Sequence, residues 1–254
     1  MDQRPFTTEL AGQKIRGTVY LVDDADLTDK RRPTVVLLHG FTGNRIESGF
    51  LYVTLGRALA EVGVNAVTFD FRGSGESDGH FDEMLVSDEI DDAMRVLDWV
   101  GSQPYVDRAR LGLLGFSLGG LVASCVAARF APIKALALLA PTTVDNLCRF
   151  AAGSQSSRRV VVGPHTLRVD FFDRLKELDP LADVVRRPRP TLVVQGTGDT
   201  AVPLEVADEY VQTMRRTNVP VELVSVDKAD HAFTAPPFRR RVVESVVSFF
   251  TTNL

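Results

Sequence analysis

The run Leu111-Gly-Leu-Leu-Gly-Phe-Ser-Leu-Gly-Gly-Leu-Val-Ala-Ser-Cys-Val-Ala-Ala-Arg-Phe130 passes from a short apolar stretch, through a glycine-flanked serine, into a longer apolar stretch. This spacing predicts a buried strand, a sharp turn at Gly115-Phe-Ser-Leu-Gly119 and a buried helix. Only glycine lets a strand and the next helix close so tightly around an outward-facing serine, and the positive helix N-terminus favours an oxyanion formed beside it. Ser117 is therefore the candidate nucleophile. A second match to the pattern, Gly75-Glu-Ser-Asp-Gly79, lacks this setting. The strand-like residues 65–70 end well before it, no helix starts at Ser77, and flanking carboxylates disfavour an oxyanion. Ser77 is expected in a surface loop.

Around this turn the chain alternates strand and helix signals. Thr34-Val-Val-Leu-Leu38, residues 65–70, Ile133-Lys-Ala-Leu-Ala-Leu-Leu-Ala140, Thr191-Leu-Val-Val-Gln195 and residues 221–226 read as strands, most of them continuous apolar runs of the kind a parallel sheet buries on both faces. Residues 50–62, a segment capped by Ser87, residues 204–216 and residues 237–253 carry apolar stripes or boundaries of helical type. Lys14-Ile-Arg-Gly-Thr-Val-Tyr-Leu-Val22, followed by a charged turn at 23–33, predicts an opening antiparallel hairpin or meander. The rhythm breaks between 142 and 180. There a polar stretch at 152–157, a hairpin-like run turning at Gly163-Pro164 and a helix-like segment at 170–178 predict an insertion. With 254 residues, 44% of them hydrophobic, one α/β domain over 1–254 is expected, a mostly parallel central sheet flanked by helices with a small inserted cap subdomain at 142–180.

Serine is a poor nucleophile until a base, itself oriented by a third group, takes its proton. Two further strand ends supply candidates. Gln195-Gly-Thr-Gly-Asp199 places a carboxylate in a glycine-rich loop, and Val226-Asp-Lys-Ala-Asp-His231 places an imidazole after the next strand. Asp199 is preferred over Asp230 as the orienting acid, because neighbouring side chains on an extended loop diverge. All three groups sit at carboxyl ends of strands, where open α/β sheets bind ligands. The backbone N–H groups of Phe41, after the early buried strand, and of Leu118, after the serine, are the candidate oxyanion hole. His39 either competes as the base, touches substrate, or holds its loop by hydrogen bonds. Phe171 and Phe172 in the insertion either line an acyl pocket or anchor the insertion to the core.

The net charge of −4 argues against a nucleic-acid partner, and the Arg158-Arg159, Arg186-Arg187 and Arg239-Arg240-Arg241 clusters read as solvated surface. The two cysteines imply neither a disulfide framework nor a thiolate metal site, with Cys125 expected as packing, and His80 and His165 fit no metal-ligand spacing. No metal and no cofactor are expected. No run approaches a membrane span and the first residues lack an apolar signal core, so a cytoplasmic protein without membrane association is expected. The expected partner is a small-molecule ester, and homodimerisation stays open.

His39-Gly-Phe-Thr-Gly43, Phe69-Asp-Phe-Arg-Gly-Ser-Gly-Glu-Ser-Asp-Gly79, Gly115-Phe-Ser-Leu-Gly-Gly120, Gly196-Thr-Gly-Asp-Thr-Ala-Val-Pro203 and Ala229-Asp-His-Ala-Phe233 together resemble the α/β-hydrolase superfamily, and within it the bacterial cinnamoyl (feruloyl) esterases. The resemblance covers essentially the whole chain. It implies an α/β-hydrolase fold and hydrolysis of hydroxycinnamate or other small acyl esters beneath an inserted subdomain, in the place and size of 142–180. Thioesterases and serine peptidases share these motifs and remain alternatives, as does a non-catalytic binding module that kept the fold.

Overall fold

The computed structural model describes residues 2–22, 30–151, 155–156, 159–162 and 165–254. Its core is an eight-stranded sheet. The strands are β1 (Asp2–Leu10), β2 (Gln13–Leu21), β3 (Arg32–Leu38), β4 (Asn65–Phe69), β5 (Val106–Phe116), β6 (Ile133–Leu139), β10 (Thr191–Gly196) and β11 (Val221–Val226), in spatial order β1-β2-β4-β3-β5-β6-β10-β11. The pairs β1/β2 and β2/β4 are antiparallel, and every other pair in this sheet is parallel.

The continuous apolar runs occupy the centre because there both faces are covered. Alternate residues of β3 point to opposite layers: Val36 and Leu38 join one hydrophobic cluster, Val35 and Leu37 the other. Helices α2 (Val86–Gly101), α3 (Leu118–Arg129) and α7 (Leu204–Arg215) contribute to the first cluster, and α1 (Leu51–Glu61) and α8 (Pro236–Asn253) to the second. Helix α3 is buried from Leu118 to Ala127, which explains why its sequence is apolar all round.

The segment between β6 and β10 forms α4 (Val144–Ala151), a small antiparallel sheet of β7 (Gln155–Ser156), β8 (Arg159–Val162) and β9 (His165–Leu167), then α5 (Phe171–Leu175) and α6 (Pro180–Val184). The hairpin expected in this segment is the β8/β9 pair. Its turn at Gly163-Pro164, most of the polar stretch at 152–157, Arg158 and most of the charged turn at 23–33 lie outside the described residues.

Three expectations need correction. The opening antiparallel hairpin is present as β1 against β2, but it turns at residues 11–12 and not across 23–33: β2 pairs on its other side with β4, while β3 sits between β4 and β5. Ser87 does not cap α2; Leu85, in extended conformation, precedes the helix and its carbonyl accepts the N–H groups of Asp88 and Glu89. Ser77 lies in a loop, but a buried one. Its hydroxyl donates to the Asp70 carbonyl (2.6 Å) and accepts the Arg16 N–H (2.9 Å), tying the loop after β4 to β2.

Candidate active site

Strand β5 ends at Phe116 and α3 begins at Leu118, leaving Ser117 alone at the turn with φ 55° and ψ −116°. A non-glycine residue there is strained. The turn is fixed from both sides: Ser117 N–H donates to the Leu139 carbonyl (2.9 Å), and its own carbonyl accepts from Gly120 (2.9 Å) and Thr142 (3.2 Å). A side chain at Gly119 would run into the Leu38 and His39 carbonyls, so α3 can lie against the end of β3 only because that position is glycine.

Asp199 follows β10 and His231 follows β11. His231 Nε2 stands 3.0 Å from Ser117 Oγ, and His231 Nδ1 stands 2.7 Å from Asp199 Oδ2. The carboxylate can only accept, so Nδ1 carries the hydrogen and Nε2 is left to accept from the serine hydroxyl. The Asp199 side chain is fully buried while the His231 side chain is 26% exposed. Asp199 Oδ1 accepts the N–H groups of Ala201 (2.9 Å) and Val202 (2.8 Å), and Oδ2 also accepts from Gln195 Nε2 (3.0 Å). Asp230 is turned away, engaged by the backbone N–H and hydroxyl of Thr234, whose hydrogen bonds hold its carboxyl below the usual range. The Phe116 ring packs 5.0 Å from the imidazole ring and limits its tilt.

The loop after β3 lies against the serine: a Cβ built on Gly40 would stand 3.3 Å from Ser117 Cβ. Among the described residues no acceptor takes the N–H of Phe41 or of Leu118. The peptide joining Gly40 to Phe41 is oriented through its carbonyl, which accepts from Gly43 N–H (3.0 Å) and His39 Nδ1–H (2.9 Å). A trans peptide points its N–H opposite to its C=O, so these two bonds also aim the Phe41 N–H.

His39 thus takes a different place from either chemical role considered for it. It is buried (1% exposed), and its Nε2 accepts the Phe71 N–H (3.1 Å), so both ring nitrogens are used inside the protein. Burial lowers its pKa and keeps it neutral, as the Nε2 acceptor role requires. As a base or a substrate contact it has no free nitrogen. Phe171 and Phe172 are likewise buried (1% and 8%) in the main core, and their rings pack edge to face. They anchor the insertion and offer little free surface to a ligand. Phe171 also reaches the Phe41 ring (centroids 6.4 Å apart), and Phe41 continues through Phe81 (5.5 Å) to His165 on β9 (4.7 Å). The insertion is therefore joined to the loop of Phe41 by a row of aromatic rings.

Two supporting residues carry weak sequence signals. Gln195 is a polar side chain near the end of the buried run of β10, and its amide links Asp199 to the Val202 carbonyl (2.8 Å). Asn146 of α4 donates to Thr142 Oγ1 (3.0 Å) and to the Ala201 carbonyl (3.1 Å), bracing the loop that carries Asp199. Among the described residues no group of three or more His, Cys, Asp or Glu is arranged to hold a metal, and no helix is long and apolar enough to cross a membrane.

A mostly parallel sheet with a strained serine between a central strand and a buried helix defines the α/β-hydrolase fold. Similar architecture is found in Est1E from Butyrivibrio proteoclasticus with bound ferulic acid, at a TM-score of 0.85 and 22% identity over 98% of each chain. Residues 55–254 match the prolyl oligopeptidase family (Peptidase_S9), and the chain belongs to that family. Among curated relatives, acylamino-acid-releasing enzyme 2 of rice (Oryza sativa subsp. japonica) is 24% identical over 244 residues, covering 89% of this chain and 30% of that enzyme. An uncharacterized 31.7 kDa protein of Escherichia coli is 38% identical over 90 residues, covering 35% of this chain and 30% of that protein. The aligned part is thus under a third of the length of these curated relatives.

Proposed function

We propose that this hydrolase is a serine carboxylesterase acting on small acyl or aromatic, hydroxycinnamoyl-type esters. The observation that carries the reading is the hydrogen-bonded series Ser117 Oγ, His231 Nε2, His231 Nδ1, Asp199 Oδ2, with steps of 3.0 and 2.7 Å. Neutral His231 takes the Ser117 proton as Oγ attacks the ester carbonyl carbon, and Asp199 stabilises the imidazolium. The carbonyl oxygen becomes an oxyanion held by the N–H groups of Phe41 and Leu118. His231 returns the proton to the leaving alcohol, and a water activated by the same imidazole then hydrolyses the acyl-enzyme. No step uses a metal or a cofactor. The insertion at 142–180 acts as a cap, since it leaves the carboxyl end of β6 beside Ser117 and reaches Phe41 through Phe171.

Family membership and the likeness to an acylamino-acid-releasing enzyme favour a second reading, cleavage of an acylaminoacyl or peptide bond by the same groups. A panel of p-nitrophenyl acetate, methyl ferulate, an acyl-CoA and an acylaminoacyl anilide tests both. The esterase reading expects turnover of both esters, with kcat/KM highest for one of them and reduced about 10⁶-fold in kcat by Ser117→Ala. Preference for the anilide selects the second reading, and undiminished hydrolysis by Ser117→Ala rejects both.

A further inference from the structure

Glu47 lies in the loop between β3 and α1 and has a backbone that side chains other than glycine's rarely adopt, φ 59° and ψ 165°. Such strain persists only where the surroundings over-determine it, and it concentrates at functional sites. What holds it is its own side chain. Oε1 accepts the Gly40 N–H (2.6 Å) and Oε2 the Ser48 N–H (3.1 Å), so one carboxylate reaches back across the loop to the residue that precedes Phe41. Next to it the Tyr52 hydroxyl of α1 donates to the Leu38 carbonyl at the end of β3 (2.6 Å). Gly40 is consequently held at both ends: its N–H by Glu47, and its carbonyl by His39 and Gly43.

We propose that Glu47 is a positioning residue of the active site, fixing the peptides on either side of Gly40 so that the Phe41 N–H meets the oxyanion. This rests on the reading of Ser117, His231 and Phe41 given above. The titratable groups that face the Glu47 carboxylate are His231, from the loop after β11, and Tyr52, from α1; Arg239 of α8 stands beside Gly49 in the same loop. Burial raises the Glu47 pKa, while the two N–H donors and the charge of His231 favour its ionised form. Asp199 orients the imidazole through Nδ1, and Glu47 acts on the oxyanion through the loop.

The test compares Glu47→Gln and Glu47→Gly with the wild type in p-nitrophenyl acetate hydrolysis and in the rate of covalent labelling by a fluorophosphonate, with Ser117→Ala as control. Glutamine keeps an acceptor for Gly40 and removes the charge. It is expected to keep kcat within about threefold of the wild type and KM within about twofold, because the acceptor that aligns the Gly40 peptide is retained. Glycine relieves the backbone and removes both bonds. It is expected to lower kcat and the labelling rate by about 10², as for one misplaced oxyanion donor, with a melting temperature no lower than that of Glu47→Gln. Wild-type kcat in Glu47→Gly overturns the proposal, as does a loss in Glu47→Gln as large as that in Glu47→Gly. If Glu47→Gly does not fold, Glu47→Ala, which also removes both bonds, takes its place with the same expectation. Full activity in Ser117→Ala instead overturns the underlying reading of the site.

Discussion

At the scale of single residues, the site depends on groups that never meet a substrate. His39 holds the Gly40 carbonyl, Gln195 holds Asp199, and Ser77 ties Asp70 to Arg16. Ser77 shows how a serine in the right motif takes a structural role: its oxygen is committed in both directions, as donor and as acceptor. Removing it leaves a buried carbonyl and a buried N–H without their partner. Ser77→Ala is therefore expected to cost about 1–3 kcal/mol of stability, read as a lower urea midpoint, while kcat stays at the wild-type value. Loss of turnover in a stable Ser77→Ala protein would mean that the wrong serine has been assigned. Ser117 and His231 were legible because each follows an apolar run and a turn. His39 was legible only as a choice among roles, because the Phe71 N–H that settles it lies 32 residues away.

At the scale of elements, α2 carries a cost that the rest of the fold tolerates. Glu89 is buried on its inner face beside Asp88 and Asp92, and one of its carboxyl oxygens has no hydrogen-bond partner among the described residues. Burial, then the two neighbouring carboxylates, raise its pKa well above the ordinary value, and burial raises that of Asp92 to about 6 despite the Arg72 guanidinium against it. A carboxyl whose pKa is higher in the folded than in the unfolded chain contributes stability that is present below the unfolded pKa and lost as pH rises through the folded one. For Asp92 that loss runs from about pH 4 to about pH 6. Glu89→Gln removes this dependence at its own position. Its melting temperature should match the wild type near pH 4 and exceed it at pH 8, by about 2–4 °C for each kcal/mol relieved. A difference that does not change with pH would show that Glu89 is not held protonated. The helix itself was legible from its apolar stripe. Its start was misread, because Ser87 looks like a cap while Leu85 ends the preceding segment. Strand β1 gave little signal because it lies at the sheet edge and buries only Phe6 and Thr8.

At the scale of the whole molecule, the insertion is built into the core. Leu167, Phe171, Phe172 and Leu175 belong to the same hydrophobic cluster as α2 and α3, so a deletion reaching α5 would strip the core. A shorter replacement separates the two functions. Exchanging residues 152–166 for a Gly/Ser linker leaves Phe171 and Phe172 in place and removes His165 from Phe81. The cap reading expects KM for methyl ferulate to rise about tenfold or more, and KM for p-nitrophenyl acetate to change less than about threefold, as when apolar pocket surface is removed around the larger acyl group only. Equal losses on both esters in a folded variant would show that the insertion supports Ser117 and its partners rather than the pocket.

The sequence by itself determined the alternation of strand and helix, the strained turn at Ser117, the carboxyl-end positions of Asp199 and His231, and the interruption between 142 and 180. Each of these rests on local periodicity or on a glycine that a close approach demands, and such signals survive in a single chain. Tertiary structure decided that β2 lies beside β4 and not β3, that His39 and the two phenylalanines face inward, and that Glu47 reaches Gly40. The physical reason is that these contacts are made by packing: His39 meets the Phe71 N–H across 32 residues, and a hydrogen bond of that span leaves no periodic mark in the sequence.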